Sequence, residues 1–213
     1  MKLLLLDVDG TLVDSQGHIQ AAMEAAFAAR GLPAPDREGV RGIIGLSLPV
    51  AMARLAPGAD AEALTRAYGE AFHATRDDPA ARSPLYPGAG EAVEALLARD
   101  DLLLGIATGK SRRGLDHVLE AHGLRGRFHT EQVADHHPSK PHPSMVWTAL
   151  AETGVEGGDA ALLGGSPYDM EMARLGGIRA LGALWGYGAP EALRRAGAHR
   201  LLAGWDEIAG EPA

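Results

Sequence analysis

Two aspartates stand where they can do chemistry together. Asp7 and Asp9 lie in Asp7-Val8-Asp9-Gly10-Thr11, directly after the apolar run Leu3 to Leu6. Side chains alternate along extended backbone, so both carboxylates project to one side. Adjacent carboxylates repel, and their pKa values separate unless a cation intervenes. One then stays ionised as a nucleophile while the other keeps a proton as a general acid. An Asp-Gly pair also suits a plain turn, and taken alone the motif divides evenly between the two readings.

Three further polar clusters follow apolar runs. Thr108-Gly109-Lys110-Ser111 offers a hydroxyl and free backbone N–H groups at a strand-to-helix junction, which suits an anion or ordinary helix capping. In Pro138-Ser139-Lys140-Pro141, the second proline favours extended backbone at Lys140. That makes Lys140 a placed cation, or else a solvated surface lysine, the usual fate of that residue. His136, His137 and His142 nearby fit no common zinc spacing and read as a polar loop. Gly164-Gly165-Ser166-Pro167-Tyr168-Asp169 combines a helix cap, a proline at the first helical position and an acid at the third, a role that accounts for Asp169 by itself.

These clusters need elements to bring them together. Lys2 to Leu6 is apolar on both faces, as in a buried parallel strand. An alanine-rich stretch follows, with helices over Ile19 to Arg30, Leu48 to Leu55 and Ala61 to Ala74. The breakers Asp77-Asp78-Pro79, Ser83-Pro84 and Pro87-Gly88 then mark a linker. Beyond it, helix and strand signals alternate: strands at Leu102 to Ala107, Phe128 to Val133, Ala160 to Leu163 and a last one at Arg179 to Trp185. The helices between them span Ala89 to Ala98, Arg112 to His122, Pro143 to Thr153 and Pro167 to Leu175, with a terminal helix from Pro190. Alternating βα units predict an α/β fold with a doubly wound parallel sheet. The helices after the first strand predict a small all-helical cap, residues 16–83, inserted into a core of residues 1–15 and 84–213. Sites in such sheets lie beyond the carboxyl ends of the strands, where all four clusters fall.

Composition narrows the function. The chain has 213 residues and no cysteine, which excludes a disulfide framework and a thiol nucleophile. Its formal net charge of −8 and its 5% aromatic content disfavour a nucleic-acid binder. No apolar run approaches the length of a membrane span, so the expectation is a cytoplasmic protein with no membrane partner. It is expected to be a monomer, since no apolar seam stands out. Only three lysines occur, Lys2, Lys110 and Lys140.

Taken in order, Asp7-x-Asp9-Gly10-Thr11, Thr108 after a strand, Lys140 and Gly164…Asp169 resemble the haloacid dehalogenase-like hydrolase superfamily. The helical insert resembles the cap of its phosphoglycolate phosphatase-like branch. Leu12-Val13-Asp14-Ser15, Gly42-Ile43-Ile44-Gly45, Tyr86-Pro87-Gly88 and Asp169-Met170-Glu171-Met172-Ala173 carry the similarity further. The resemblance implies a phosphatase acting on a small phosphorylated metabolite, phosphoglycolate-like or a sugar phosphate. It implies Asp7 as nucleophile through an aspartyl-phosphate, Asp9 as acid and base, Thr108 and Gly109 as phosphoryl binders, and Lys140 as the balancing cation. It also implies Mg²⁺ on Asp7, Asp9 and Asp169. Arg41, beside Gly42, offers itself to a substrate carboxylate or to solvent.

One departure stands out. The branch usually reads Gly-Asp-Thr-x-x-Asp in the fourth motif, and here the first acid is Gly165. A glycine brings no side-chain oxygen, so weaker Mg²⁺ affinity is expected. Water filling the gap, Asp169 moving in, and an impaired enzyme all stay open. A relative that binds a phosphorylated ligand or a partner without turnover is therefore the alternative, as is a phosphosugar mutase. The 16–82 stretch lacks any lysine, which argues against Schiff-base chemistry in the cap.

Overall fold

The computed structural model describes residues 1–75 and 83–210. Asp77-Asp78-Pro79, read above as part of a linker, lies outside the described residues. Six parallel strands form one sheet in the order β3-β2-β1-β4-β5-β6. They are β1 Lys2–Leu6, β2 Leu102–Ala107, β3 Thr130–Gln132, β4 Ala160–Gly164, β5 Arg179–Ala183 and β6 Arg200–Leu202. The chain reverses direction across the sheet between β1 and β4, which is where such sheets open a crevice.

The pleat of β1 explains its unbroken leucine run. Leu4 and Leu6 enter one apolar cluster, with Leu104, Ile106 and Leu115. Leu3 and Leu5 enter another on the opposite face, with Met145, Met170 and Met172. A strand buried on both faces has no polar side to show. Helices α5 Ala89–Leu97 and α6 Arg112–Ala121 cover the first face, and α7 Ser144–Thr153 and α8 Pro167–Gly176 the second. The short α9 Pro190–Arg195 adds Leu193 to the second cluster.

Among the described residues, four helices precede α5 on the way from β1 to β2: α1 Gln16–Ala29, α2 Arg37–Arg41, α3 Leu48–Leu55 and α4 Ala61–Ala74. They share a separate apolar cluster of Ile19, Met23, Phe27, Ile43, Ile44, Met52 and Leu64, against which Tyr168 and Tyr187 of the sheet portion pack. No helix among the described residues is long and apolar enough to cross a membrane.

Two elements depart from expectation. Strand β5 is not the last, since β6 follows it. At three residues on the sheet edge, with Arg200 exposed, β6 is too short to show a period. Helix α2 is five residues long, Arg-Glu-Gly-Val-Arg, and buries only Val40. It owes its start to Asp36, whose carboxylate accepts from the Gly39 N–H at 2.7 Å.

Candidate active site

Asp7 follows the last residue of β1, and the side chain is buried with 1% of its surface exposed. Lys140 is equally enclosed and lies between two carboxylates. Its ammonium donates to Asp7 Oδ1 at 2.8 Å and to Asp169 Oδ1 at 2.6 Å. The loop that delivers it carries a cis Lys140–Pro141 peptide. So the lysine is a placed cation and not a solvated one. Burial pulls the Lys140 ammonium down, but Asp169 and then Asp7 outweigh it and hold the lysine above its usual range. Burial pushes the Asp7 carboxyl up to about 7. The charge of Asp169 adds to that rise, and Lys140 pulls against it. Two carboxylates share one lysine, so the trio carries net negative charge whenever both are ionised.

Asp169 has little freedom. Its Oδ2 accepts from the Ser166 N–H at 3.0 Å and the Ser166 hydroxyl at 2.7 Å, completing a capping box at the start of α8. Both its oxygens are thus engaged. The cap residue Ser166 and the lysine clamp use opposite sides of one carboxylate.

Asp9 sits at the mouth of the crevice. Lys110 donates to both its oxygens, at 2.8 and 3.0 Å, and the Ser15 hydroxyl donates to Oδ1 at 2.6 Å. The Lys110 ammonium also lies 5.5 Å from the ring centre of Phe72 on α4, within cation–π range. Sequence reasoning assigned Lys110 no role. The one signal that pointed to it was the scarcity of lysine.

Thr108 and Gly109 line the same cavity as Asp7 and Asp9. The Thr108 hydroxyl oxygen accepts from the Lys110 N–H at 3.3 Å. At Gly109 the helical insert comes down onto the sheet. A Cβ there would stand 2.6 Å from the carbonyl oxygens of both Gly45 and Leu46. The insert is held down elsewhere by Ser47 N–H donating to Ser139 Oγ at 2.8 Å and Tyr168 OH donating to the Gly42 carbonyl at 2.7 Å.

Arg41 is not brought to the cavity. It is exposed, with its guanidinium 6.0 Å from the ring centre of Tyr187. His137 bridges Gln132 Oε1 and Ser144 Oγ, each at 2.8 Å, and so serves the loop's own packing.

A divalent cation implied by the resemblance can be tested against these residues. The buried Oδ2 of Asp7 has no hydrogen-bond partner, an orphan that normally marks a missing ion or water. The net negative trio around it suits a cation. Among the described residues, no three His, Cys, Asp or Glu side chains gather as a metal cage. Gly165 has no room to supply the absent donor, because a Cβ there would lie 2.2 Å from the Gly10 carbonyl oxygen. This set fits an ion that keeps most of its waters and takes only one or two protein carboxylates, the habit of Mg²⁺.

Comparison with known proteins agrees with the geometry. The family model of haloacid dehalogenase-like hydrolases matches residues 4–183. A Dickeya dadantii protein named "Probable phosphatase IndB" is 32% identical, over 98% of this chain and 92% of that one. The N-acetylmuramic acid 6-phosphate phosphatase of Pseudomonas putida is 32% identical over 90% of this chain and 86% of its own length. Among solved structures, CbbY from Rhodobacter sphaeroides in complex with phosphate superposes with a TM-score of 0.82 at 27% identity, covering 98% of this chain and 96% of that one. A predicted phosphoglycolate phosphatase from Haemophilus somnus reaches 0.86 at 23% identity, with coverage of 98% and 96%. The chain belongs to the haloacid dehalogenase-like hydrolase family, in its phosphoglycolate phosphatase-like branch, and is by that kinship a phosphoric monoester hydrolase.

Proposed function

We propose that this protein hydrolyses a small phosphorylated metabolite in two steps through Asp7, with Mg²⁺ as cofactor. The observation that carries the reading is the clamp of Lys140 on Asp7, which fixes one carboxylate oxygen and leaves the other without a partner. Asp7 attacks phosphorus, and the bond from phosphorus to the leaving oxygen breaks. Asp9, which must first take up a proton in place of its Lys110 pairing, gives that proton to the leaving oxygen, and the alcohol departs. Asp9 then takes a proton from water, the resulting hydroxide attacks phosphorus, and Asp7 is released with inorganic phosphate. Thr108 and the Gly109 N–H hold the phosphoryl oxygens, and Lys140 offsets the charge on Asp7.

Mg²⁺ would be held by Asp7 and the Asp9 main chain, and when bound it supplies positive charge that keeps Asp7 ionised beside an anionic substrate. Asp169 serves from behind, through Lys140. Residues 16–83 act as a cap that opens to admit substrate and closes to exclude water. The contacts of Gly45, Leu46 and Ser47 on the sheet portion support the closed position as a stable one.

The test is hydrolysis of p-nitrophenyl phosphate with Mg²⁺ and with EDTA. Wild-type activity that needs Mg²⁺ and disappears in Asp7→Asn supports the reading. Activity that persists in Asp7→Asn sinks the nucleophile assignment. Absence of turnover at every Mg²⁺ concentration favours a protein that binds a phosphorylated ligand without turnover, for which Gly165 is the motivating residue.

A further inference from the structure

The cavity above Asp7 and Asp9 is about 440 Å³, far more than a two-carbon acid fills. Its walls come mainly from the helical insert and are apolar: Ile19, Met23, Ile43, Ile44, Leu46 and Phe72 all line it. The charged and titratable lining residues are few. Among the described residues they are Asp7, Asp9, Asp135, Lys110, His73 and Tyr68. Lys110 is committed to both oxygens of Asp9, and His73 already has an interaction of its own. Among the described residues, no arginine lines the space. Arg41 stands outside against Tyr187, and Arg54 is bonded to the Tyr168 hydroxyl.

A carboxylate taken from water into such a pocket needs a cation to replace its hydration. Among the described residues, each lining cation already has a partner. A neutral group with an apolar face meets the opposite situation, since it gives up nothing to these walls and removes apolar surface from water. Tyr68 lines the pocket too. Burial raises its phenol above the usual range, so it stays protonated as a neutral hydrogen-bond donor.

We infer that the leaving group this enzyme accepts is an uncharged alcohol with an extended apolar face, and not a phosphorylated carboxylic acid. The inference rests on the proposed phosphatase reading and narrows it. It separates this chain from relatives named for phosphoglycolate and for N-acetylmuramic acid 6-phosphate, both of which bear a carboxylate.

The probes are n-hexylphosphonate and phosphonoacetate, which carry the two kinds of tail on a phosphonate that is not hydrolysed. Binding to the full-length protein with Mg²⁺ is measured by titration calorimetry. Hexylphosphonate is expected to bind at least tenfold more tightly, with one site per chain, and Ile44→Ala to weaken it at least fivefold. The inference is overturned if phosphonoacetate binds as tightly or more tightly. It is equally overturned if hexylphosphonate shows no binding at millimolar concentration or ignores Ile44→Ala. Kinetics on hexyl phosphate and phosphoglycolate separate the two readings. The expected preference in binding without hydrolysis of any ester removes the phosphatase and leaves the pocket assignment. Mg²⁺-dependent turnover with phosphoglycolate preferred removes the pocket assignment and leaves the phosphatase.

Discussion

Gly165 and Gly10 meet backbone to backbone. A Cβ added at 165 would stand 2.2 Å from the Gly10 carbonyl oxygen and 3.1 Å from the α-carbon of Gly186. The position that lacks the family's acid is therefore also a position with no space for one. Gly165→Asp is expected to lower stability by roughly 1–3 kcal/mol, the usual cost of forcing atoms into a packed site. Gly165→Ala is expected to lose a similar amount, because the first carbon already collides. Urea denaturation of both variants checks this. An aspartate variant as stable as wild type would mean that the Gly186 loop yields easily and that the site can be restored.

Lys140 answers for two buried carboxylates, and its removal leaves both unpaired. Lys140→Met is expected to cost about 3–5 kcal/mol, the range for breaking a buried ion pair from one side, and to abolish turnover. Denaturant midpoints and steady-state rates report the two losses separately. A variant that folds as stably as wild type would show that water already reaches the clamp.

The raised Asp7 pKa has a defined effect on stability. The folded value of about 7 lies above the ordinary 3.8, so between those values the native state binds more protons than the unfolded one. Stability then falls as pH rises through that window. In EDTA, wild type is expected to lose on the order of 2–4 kcal/mol from pH 4 to pH 7 relative to Asp7→Asn, which has no such titration. Parallel stability curves for the two proteins would contradict the shift.

Lys110 holds Asp9, the proposed acid and base of the reaction, from across the crevice. Lys110→Met is expected to lower kcat/KM by roughly 10- to 100-fold, in the range of a lost positioning or electrostatic contact. Lys110→Arg is expected to recover little, because a planar fork does not reproduce a point charge against Asp9 and Phe72. Kinetics on p-nitrophenyl phosphate decide this, and an Arg variant equal to wild type would show that only charge matters there.

The Tyr187 hydroxyl accepts from the N–H groups of Ser15 and Gln16, at 3.0 and 2.9 Å, and donates to Asp14 Oδ1 at 2.9 Å. It satisfies the first amides of α1, which Ser15's own side chain does not cap. Tyr187→Phe is expected to cost about 1–3 kcal/mol, the penalty for leaving buried donors unmade, and to speed hydrogen exchange at those two amides. Unchanged exchange would mean water replaces the phenol.

Much of this was legible in the residues. Leu3 to Leu6 and Leu102 to Ala107 announce buried strands, and Asp7, Asp9, Thr108 and Lys140 each follow a run that aims them at one sheet edge. What stayed hidden depends on contacts distant in sequence. The partner of Lys110 is Asp9, 101 residues away, and no local spacing encodes that pair. The lack of room at Gly165 arises only when two other loops, at Gly10 and Gly186, arrive beside it. Arg41 misses the cavity because it lies on the exposed side of α2, a five-residue helix that buries Val40. Strand β6 and helix α2 are shorter than any periodicity can register.

The bond from Tyr187 to Ser15 spans 172 residues, nearly the whole chain. The ribosome makes the first helix of the insert early, yet the hydroxyl that finishes its first turn emerges near the end of synthesis. Domains generally fold as units from the N-terminus as they are made, and here that order is interrupted. Ser139 and Tyr168 can hold the helices over the sheet before that, but a product that ends short of Tyr187 leaves the first amides of α1 without the hydroxyl that finishes them.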